Sequence, residues 1–150
     1  MKILITGGSG FIGSHLSTLL KNQKHQLTIY DLNPPQDSDL NFVSGDILDS
    51  KKIIESSNGC DLIIHLAAAV GVTLTDNNPI QTLDFNILGT KNVLEACKIN
   101  NIPKIIFASS SEIYGEPDST PIHENDRTTP ITTYGLSKLI SEEYIKSYSK

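Results

Sequence analysis

Tyr134 and Lys138 lie four residues apart in the stretch Tyr134-Gly135-Leu136-Ser137-Lys138, a spacing that stacks both on one face of a helix. A tyrosine is a poor base at neutral pH, because its pKa is about 10. A neighbouring ammonium and a positively charged nicotinamide ring would both favour the phenolate and lower that value. Tyr134 is then placed to take a proton from a carbinol while hydride leaves. Ser109, Ser110 and Ser111 offer hydroxyls to the reacting oxygen, and residue type alone does not choose among them. Near the other end runs Thr6-Gly7-Gly8-Ser9-Gly10-Phe11-Ile12-Gly13. Here Gly7 permits a tight turn, Gly10 lets backbone approach a pyrophosphate, and Gly13 lets a helix pack on a strand. The amides that open that helix would meet the phosphates. Asp31 ends the next apolar run, where its carboxylate can accept from ribose hydroxyls and repel a 2′-phosphate. No Lys or Arg follows until Lys51, so NAD is the expected cofactor rather than NADP.

These residues need elements to hold them. Lys2 to Thr6 reads as a buried strand, and about Phe11 to Lys21 as a helix with Ile12, Leu16, Leu19 and Leu20 inward. Leu27 to Tyr30 is a second strand, Asn41 to Val43 a third and Asp61 to Ile64 a fourth. Between the last two, Asp49 opens a short helix through Ile53 and Ile54. Asn78 and Pro79 look like a cap and first turn, beginning a helix over 79–99. Its inward face would carry Ile80, Leu83, Ile87, Leu94 and Cys97. Lys104 to Ala108 is a fifth strand, a polar loop covers Ser109 to Thr129, and a last helix runs from about Ile131 to Tyr148. Strands alternating with helices imply a doubly wound parallel sheet, an α/β dinucleotide-binding domain occupying 1–150.

Bulk properties remove other classes. The chain has 150 residues and a formal net charge of -5, and Arg127 is its one arginine, so no basic surface for nucleic acid is expected. Cys60 and Cys97 are far apart, and His15, His25, His65 and His123 show no ligand spacing, so neither a disulfide framework nor a metal site is expected. Met1-Lys2 leads into a strand without a signal-peptide layout, and the weakly polar stretch from Leu62 to Val72 is too short to span a bilayer. A cytoplasmic protein with no membrane partner is the expectation. The glycine turn has no GK[ST] sequence, which excludes a P-loop.

Taken together, TGGSGFIGSH, Asp31, Asp46-Ile47, His65-Leu66-Ala67-Ala68, Asn86 within NILGT, SSSEIYG and YGLSK resemble the extended short-chain dehydrogenase/reductase family, and within it the NAD-dependent nucleotide-sugar epimerases and dehydratases. The resemblance runs in order along the whole chain. It implies that Phe11 and Ile12 flank the pyrophosphate and that Asp46 and Ile47 lie against adenine. It implies that Leu66, Ala67 and Ala68 line the cofactor cleft with Asn86 near it. It also makes Ser110 the catalytic hydroxyl, Tyr134 the base, and Lys138 its partner and a ligand of the nicotinamide ribose.

The implied chemistry is oxidation of a sugar carbinol to a transient keto-sugar, followed in epimerases by return of hydride to the other face. The 4,6-dehydratases of the group carry an Asp-Glu pair after the catalytic hydroxyl, whereas this chain has Ser111-Glu112. That pair resembles UDP-glucuronate decarboxylases and some epimerases, and gives Glu112 a candidate catalytic role beside the reading of a plain loop carboxylate. Decarboxylases usually have Thr where Ser110 stands, which tilts the expectation to an epimerase acting on a nucleotide-sugar such as a UDP-hexose. A sugar dehydratase, a keto-sugar reductase and a non-catalytic NAD-binding module are the remaining alternatives. Members of the family are about twice as long, with a carboxyl-terminal substrate domain, so these residues are expected to be the amino-terminal portion. A homodimer through the helices at 79–99 and 131–148 is a further implication of the resemblance.

Overall fold

Five short strands align in parallel in the order β3-β2-β1-β4-β5. They are β1 (Lys2–Thr6), β2 (Gln26–Asp31), β3 (Asn41–Ser44), β4 (Leu62–His65) and β5 (Ile105–Phe107). The computed structural model describes residues 1–71 and 77–149; Val72 and Lys150, at the ends of two segments read above, lie outside them. The chain gathers into two compact units, one of Met1–Ala68 with Gly89–Ala108, the other of Ala69–Leu88 with Ser109–Lys150.

The first unit holds the whole sheet with α1 (Phe11–Asn22), α2 (Ser50–Ser56) and α4 (Gly89–Ile99). Ile3, Ile5, Leu27, Ile29, Leu62 and Ile64 alternate along the central strands to form one apolar face, on which Leu16 and Leu20 of α1 pack. The central strands β1 and β4 are buried on both sides, which explains their continuous apolar sequences. Right-handed crossovers then dictate the layers. The chain steps from β1 to β2 in one direction and from β3 to β4 and β4 to β5 in the other. So α1 covers one face, while α2 and α4, which pack together, cover the opposite face.

Register sets up the carboxyl edge. Thr6 pairs with Tyr30 and with His65, Asp31 with Ser44, and His65 with Phe107. The residues that leave these strands, Gly7, Asp31, Gly45 and Leu66, therefore emerge in line at one rim. The order reverses between β1 and β4, the switch point where open α/β sheets bind ligands.

The second unit contains α3 (Pro79–Leu83), a π-helical turn at Asp84–Leu88, a 3-10 turn at Ser111–Tyr114 and α5 (Thr133–Tyr148). Both turns and α3 pack against α5. Among the described residues no helix is long and apolar enough to cross a membrane, and no group of His, Cys, Asp and Glu could hold a metal ion. Cys60 and Cys97 are free, half-buried thiols whose pKa values burial raises, that of Cys97 to about 11.

Two helix faces differ from expectation. In α1, Ile12 and Leu19 are exposed, and the inward row is Gly13, Leu16, Ser17 and Leu20. Glycine and a serine that bonds back to Gly13 O at 2.7 Å bring the helix close to its support, and bulk is not what fills the contact. Across 79–99, Ile80 is exposed while Thr82, Asn86, Gly89, Thr90, Val93 and Ala96 are buried. Leu83, Ile87 and Cys97 are half-buried and Leu94 is buried as expected. The π turn adds a residue to one turn and shifts the phase on which the apolar count relied.

Candidate cofactor and catalytic site

In the first unit the glycines of the phosphate-type turn separate by cause. Gly7 has φ +69, and a Cβ there would sit 2.6 Å from Ala67 N, so the turns after β1 and β4 touch through it. A Cβ on Gly13 would lie 2.5 Å from Gly7 O and 2.6 Å from Gly8 Cα. Gly10 is different: its φ is -73, and a Cβ would meet only Gly7 O at 3.3 Å. Internal packing thus accounts for Gly7 and Gly13 but barely for Gly10, whose bare backbone faces open space. The first bond of α1 runs from Ser14 N–H to Gly10 O at 2.9 Å, so the amides of Phe11, Ile12 and Gly13 precede the helical ladder, and no side chain caps them. Phe11 is 84% and Ile12 61% exposed beside them. A cradle of amides with a Cβ-free floor fits a pyrophosphate.

Asp31 closes the same turn. Its Oδ2 accepts from Ser9 N–H at 3.1 Å and its Oδ1 from Asn33 N–H at 3.1 Å. Each oxygen keeps a lone pair for a ribose hydroxyl. The acid is therefore also a strut between the glycine turn and the end of β2. Asp46 and Ile47 follow β3, Asp46 exposed and Ile47 buried, and Asp46 Oδ1 accepts from Leu48 N–H at 2.9 Å. Leu66 and Ala67 are bound to β1, Leu66 N–H donating to Thr6 O at 3.0 Å and Ala67 N–H to Thr6 Oγ1 at 3.4 Å; Ala68 follows, half-buried. Beneath them lies His65, which the sequence had suggested only as part of a motif. It is 1% exposed and shares hydrogen bonds with Thr6 Oγ1 at 2.7 Å and Thr90 Oγ1 at 3.1 Å, tying β1, β4 and α4. A histidine ending an apolar strand was the available signal.

In the second unit Lys138 is 2% exposed, with its Nζ 5.7 Å from the centre of the Tyr134 ring. Asn86, in the π turn, accepts from Ala69 N–H at 2.7 Å and donates to Ser137 Oγ at 2.9 Å, and Ser137 donates to Tyr134 O at 2.7 Å. The turn thereby grips the helix at the base of Tyr134. Ser109 donates to Glu142 at 2.5 Å, whereas Ser110 Oγ accepts from Glu112 N–H at 3.2 Å and keeps its own proton to donate. That difference favours Ser110 over Ser109. Glu112 Oε2 accepts from Thr132 Oγ1 at 2.6 Å, and Thr132 in turn caps α5 by accepting from Gly135 N–H at 2.9 Å. A Cβ on Gly135 would lie 2.6 Å from Glu112 O, so glycine in YGLSK lets the serine turn approach the helix. Thr132, Ser137 and Glu142 were not found from sequence, since the partners that single them out, Glu112, Asn86 and Ser109, are distant along the chain.

The electrostatics reverse one expectation. Burial, and then the Glu112 carboxylate, raise the Tyr134 phenol above its ordinary value instead of lowering it. Burial lowers the Lys138 ammonium to about 8. An ammonium and a bound cationic ring act in the opposite sense to desolvation and Glu112.

With this geometry in hand, the comparisons are specific. The model of the NAD dependent epimerase/dehydratase family matches residues 3–150. A UDP-glucose 4-epimerase of Yersinia enterocolitica is 37% identical over 99% of this chain and 49% of its own length. A UDP-N-acetyl-alpha-D-glucosaminuronate decarboxylase of Bacillus cytotoxicus is 33% identical over 99% of this chain and 50% of its own. Among solved structures, UDP-glucose 4-epimerase from Brucella ovis in complex with NAD superposes with a TM-score of 0.92 at 36% identity, covering 99% of this chain and 47% of that one. The chain spans about half the length of the curated relatives it matches.

Proposed function

The chain belongs to the NAD dependent epimerase/dehydratase family, and from that premise we propose that it serves NAD-dependent epimerisation of a nucleotide-sugar, with UDP-hexoses as the substrate class. The observation that carries this reading is the buried Lys138 one helical turn from Tyr134, with the Ser110 turn pinned to the same helix by Glu112 and Thr132. A plain surface helix has no reason to bury an ammonium there.

When bound, NAD supplies a reversible two-electron acceptor for the carbinol hydrogen. The amides at the start of α1 hold its pyrophosphate, and Asp31 accepts from the adenosine ribose. In the first unit Asp46 and Ile47 would bound the adenine and Leu66 to Ala68 would lie along the cofactor; in the second, Asn86 would lie near it and Lys138 would bind the nicotinamide ribose. Ser110 donates its hydroxyl proton in a hydrogen bond to the reacting sugar oxygen. Tyr134 takes the proton of that oxygen and later returns it; the Lys138 ammonium and the positive charge of bound NAD would favour its phenolate against the burial and the Glu112 carboxylate that raise its pKa.

Supplying the protein with NAD and UDP-glucose should produce the 4-epimer, read by NMR, and Tyr134→Phe should lower turnover by a factor of about 100 or more while NAD affinity is kept. Absence of a 4-epimer from every UDP-hexose tried would remove the epimerase reading. One observation favours a second activity, decarboxylation of a UDP-glucuronate: Glu112 stands beside Ser110 with its carboxylate held by Thr132. Carbon dioxide release from UDP-glucuronate, lost in Glu112→Gln, would select it.

A further inference from the structure

We propose that Asn92, on α4, is a positioning residue for the adenine end of the cofactor, acting by clamping the backbone turn Asp46–Leu48. The proposal rests on the cofactor reading above and assigns a role to a residue that touches neither ligand nor reacting atoms.

Three successive carbonyls of this turn are held by side chains from elsewhere in the first unit. Tyr30 Oη, from β2, donates to Asp46 O at 2.7 Å. The Asn92 side-chain amide donates to Ile47 O at 3.1 Å and to Leu48 O at 3.2 Å, its two N–H groups serving both carbonyls. One helical turn earlier, Gly89 lets Ile47 against α4, since a Cβ there would lie 2.8 Å from Ile47 Cγ2. The grip is therefore double, a side chain seated in a notch and two carbonyls tied above it. On the other side Gly45 N–H donates to Asp31 O at 2.9 Å, so the turn and the ribose-binding acid share one hydrogen-bonded frame.

Asparagine is a poor helix former because its amide competes for local backbone groups. Its place inside α4 asks for a tertiary reason, and the two carbonyls supply one. The consequence is directional. With Asp46 Oδ1 occupied by Leu48 N–H, Oδ2 remains to accept from a donor on the base, and the clamp decides where that oxygen points. The adenine amino group is such a donor, whereas the carbonyl of hypoxanthine at the same position is not.

The test titrates the full chain and its Asn92→Ala and Asn92→Asp variants with NAD and with its hypoxanthine analogue, by calorimetry. The unmodified protein should prefer NAD. Asn92→Ala should weaken NAD binding roughly five- to tenfold, the scale of one lost net hydrogen bond, and shrink the preference for NAD over the analogue. Asn92→Asp, with a carboxylate facing two carbonyls, should bind NAD no better than Asn92→Ala. Unchanged NAD affinity in both variants would overturn the proposal alone. So would an equal loss for both ligands, which marks a merely structural role. Failure of the unmodified protein to bind NAD would overturn the cofactor reading and this proposal with it.

Discussion

At the scale of single residues, the proposed chemistry turns on two charged groups, Lys138 and Asp31. Lys138 is buried, and its value near 8 lies well below the ordinary one for lysine. Between those two values the unfolded chain binds the proton more readily, so this site adds stability as pH rises from about 8 to 10.5. Below about pH 8 both states are protonated and the full cost of burying the ammonium is present, up to about 3 kcal/mol. Lys138→Met should accordingly be more stable than the parent in urea melts at pH 7, with the gap closing by pH 10. A gap that does not change with pH would refute the buried-ammonium account. The other decisive charge is Asp31. Because its carboxylate accepts from both Ser9 and Asn33, Asp31→Ala should loosen the glycine turn as well as remove the proposed ribose acceptor. NAD affinity is expected to fall by a factor of about ten or more, the scale of hydrogen bonds to a charged group, and discrimination against NADP to relax. Tighter binding of NADP than NAD by the unmodified protein would contradict that assignment.

At the scale of elements, the turn joining β1 to α1 separates fold from function within a few residues. Gly13→Ala forces a methyl group against Gly7 O and Gly8 Cα, and should destabilise the protein by about 2–3 kcal/mol. Gly10→Ala meets little beyond Gly7 O and should cost about 1 kcal/mol or less, yet weaken NAD binding far more than its effect on melting suggests. Parallel melts and titrations of the two variants check this, and equal destabilisation would mean that Gly10 is a packing glycine too. The strand cores were legible because parallel, doubly covered strands need unbroken apolar runs. The helix faces were less so. Ser17, Thr82, Asn86 and Thr90 are buried polar residues whose hydrogen bonds replace bulk, and hydrophobic periodicity has no means of seeing them.

For the molecule as a whole, cofactor binding and folding are linked quantities. A ligand that binds only the native state adds about 2.7 kcal/mol at a concentration of 100 times Kd. For a chain of this size that corresponds to a rise of roughly 5–10 °C in Tm. Saturating NAD should give a rise of this order, NADP a smaller one, and Asp31→Ala should reduce the NAD effect; equal shifts for both dinucleotides would undo the charge argument. Alternation together with crossover handedness implies a doubly wound parallel sheet, while the order β3-β2-β1-β4-β5 among those such rules allow, and the gathering of 69–88 with 109–150 into a separate compact unit, had no mark in composition or punctuation.

What the amino-acid order determined by itself was local chemistry. A left-handed glycine between a strand and a helix, an acid at the next strand end, and a phenol four residues before an amine are each fixed by backbone sterics and helical period, which act over a few residues. The folded chain alone decided how hard those groups are to ionise, which serine is already engaged, and what holds the turn at Asp46. Desolvation and hydrogen-bond partnership come from neighbours tens of residues away, such as Glu112 for Tyr134 or Asn92 for Ile47. No spacing along the chain encodes them.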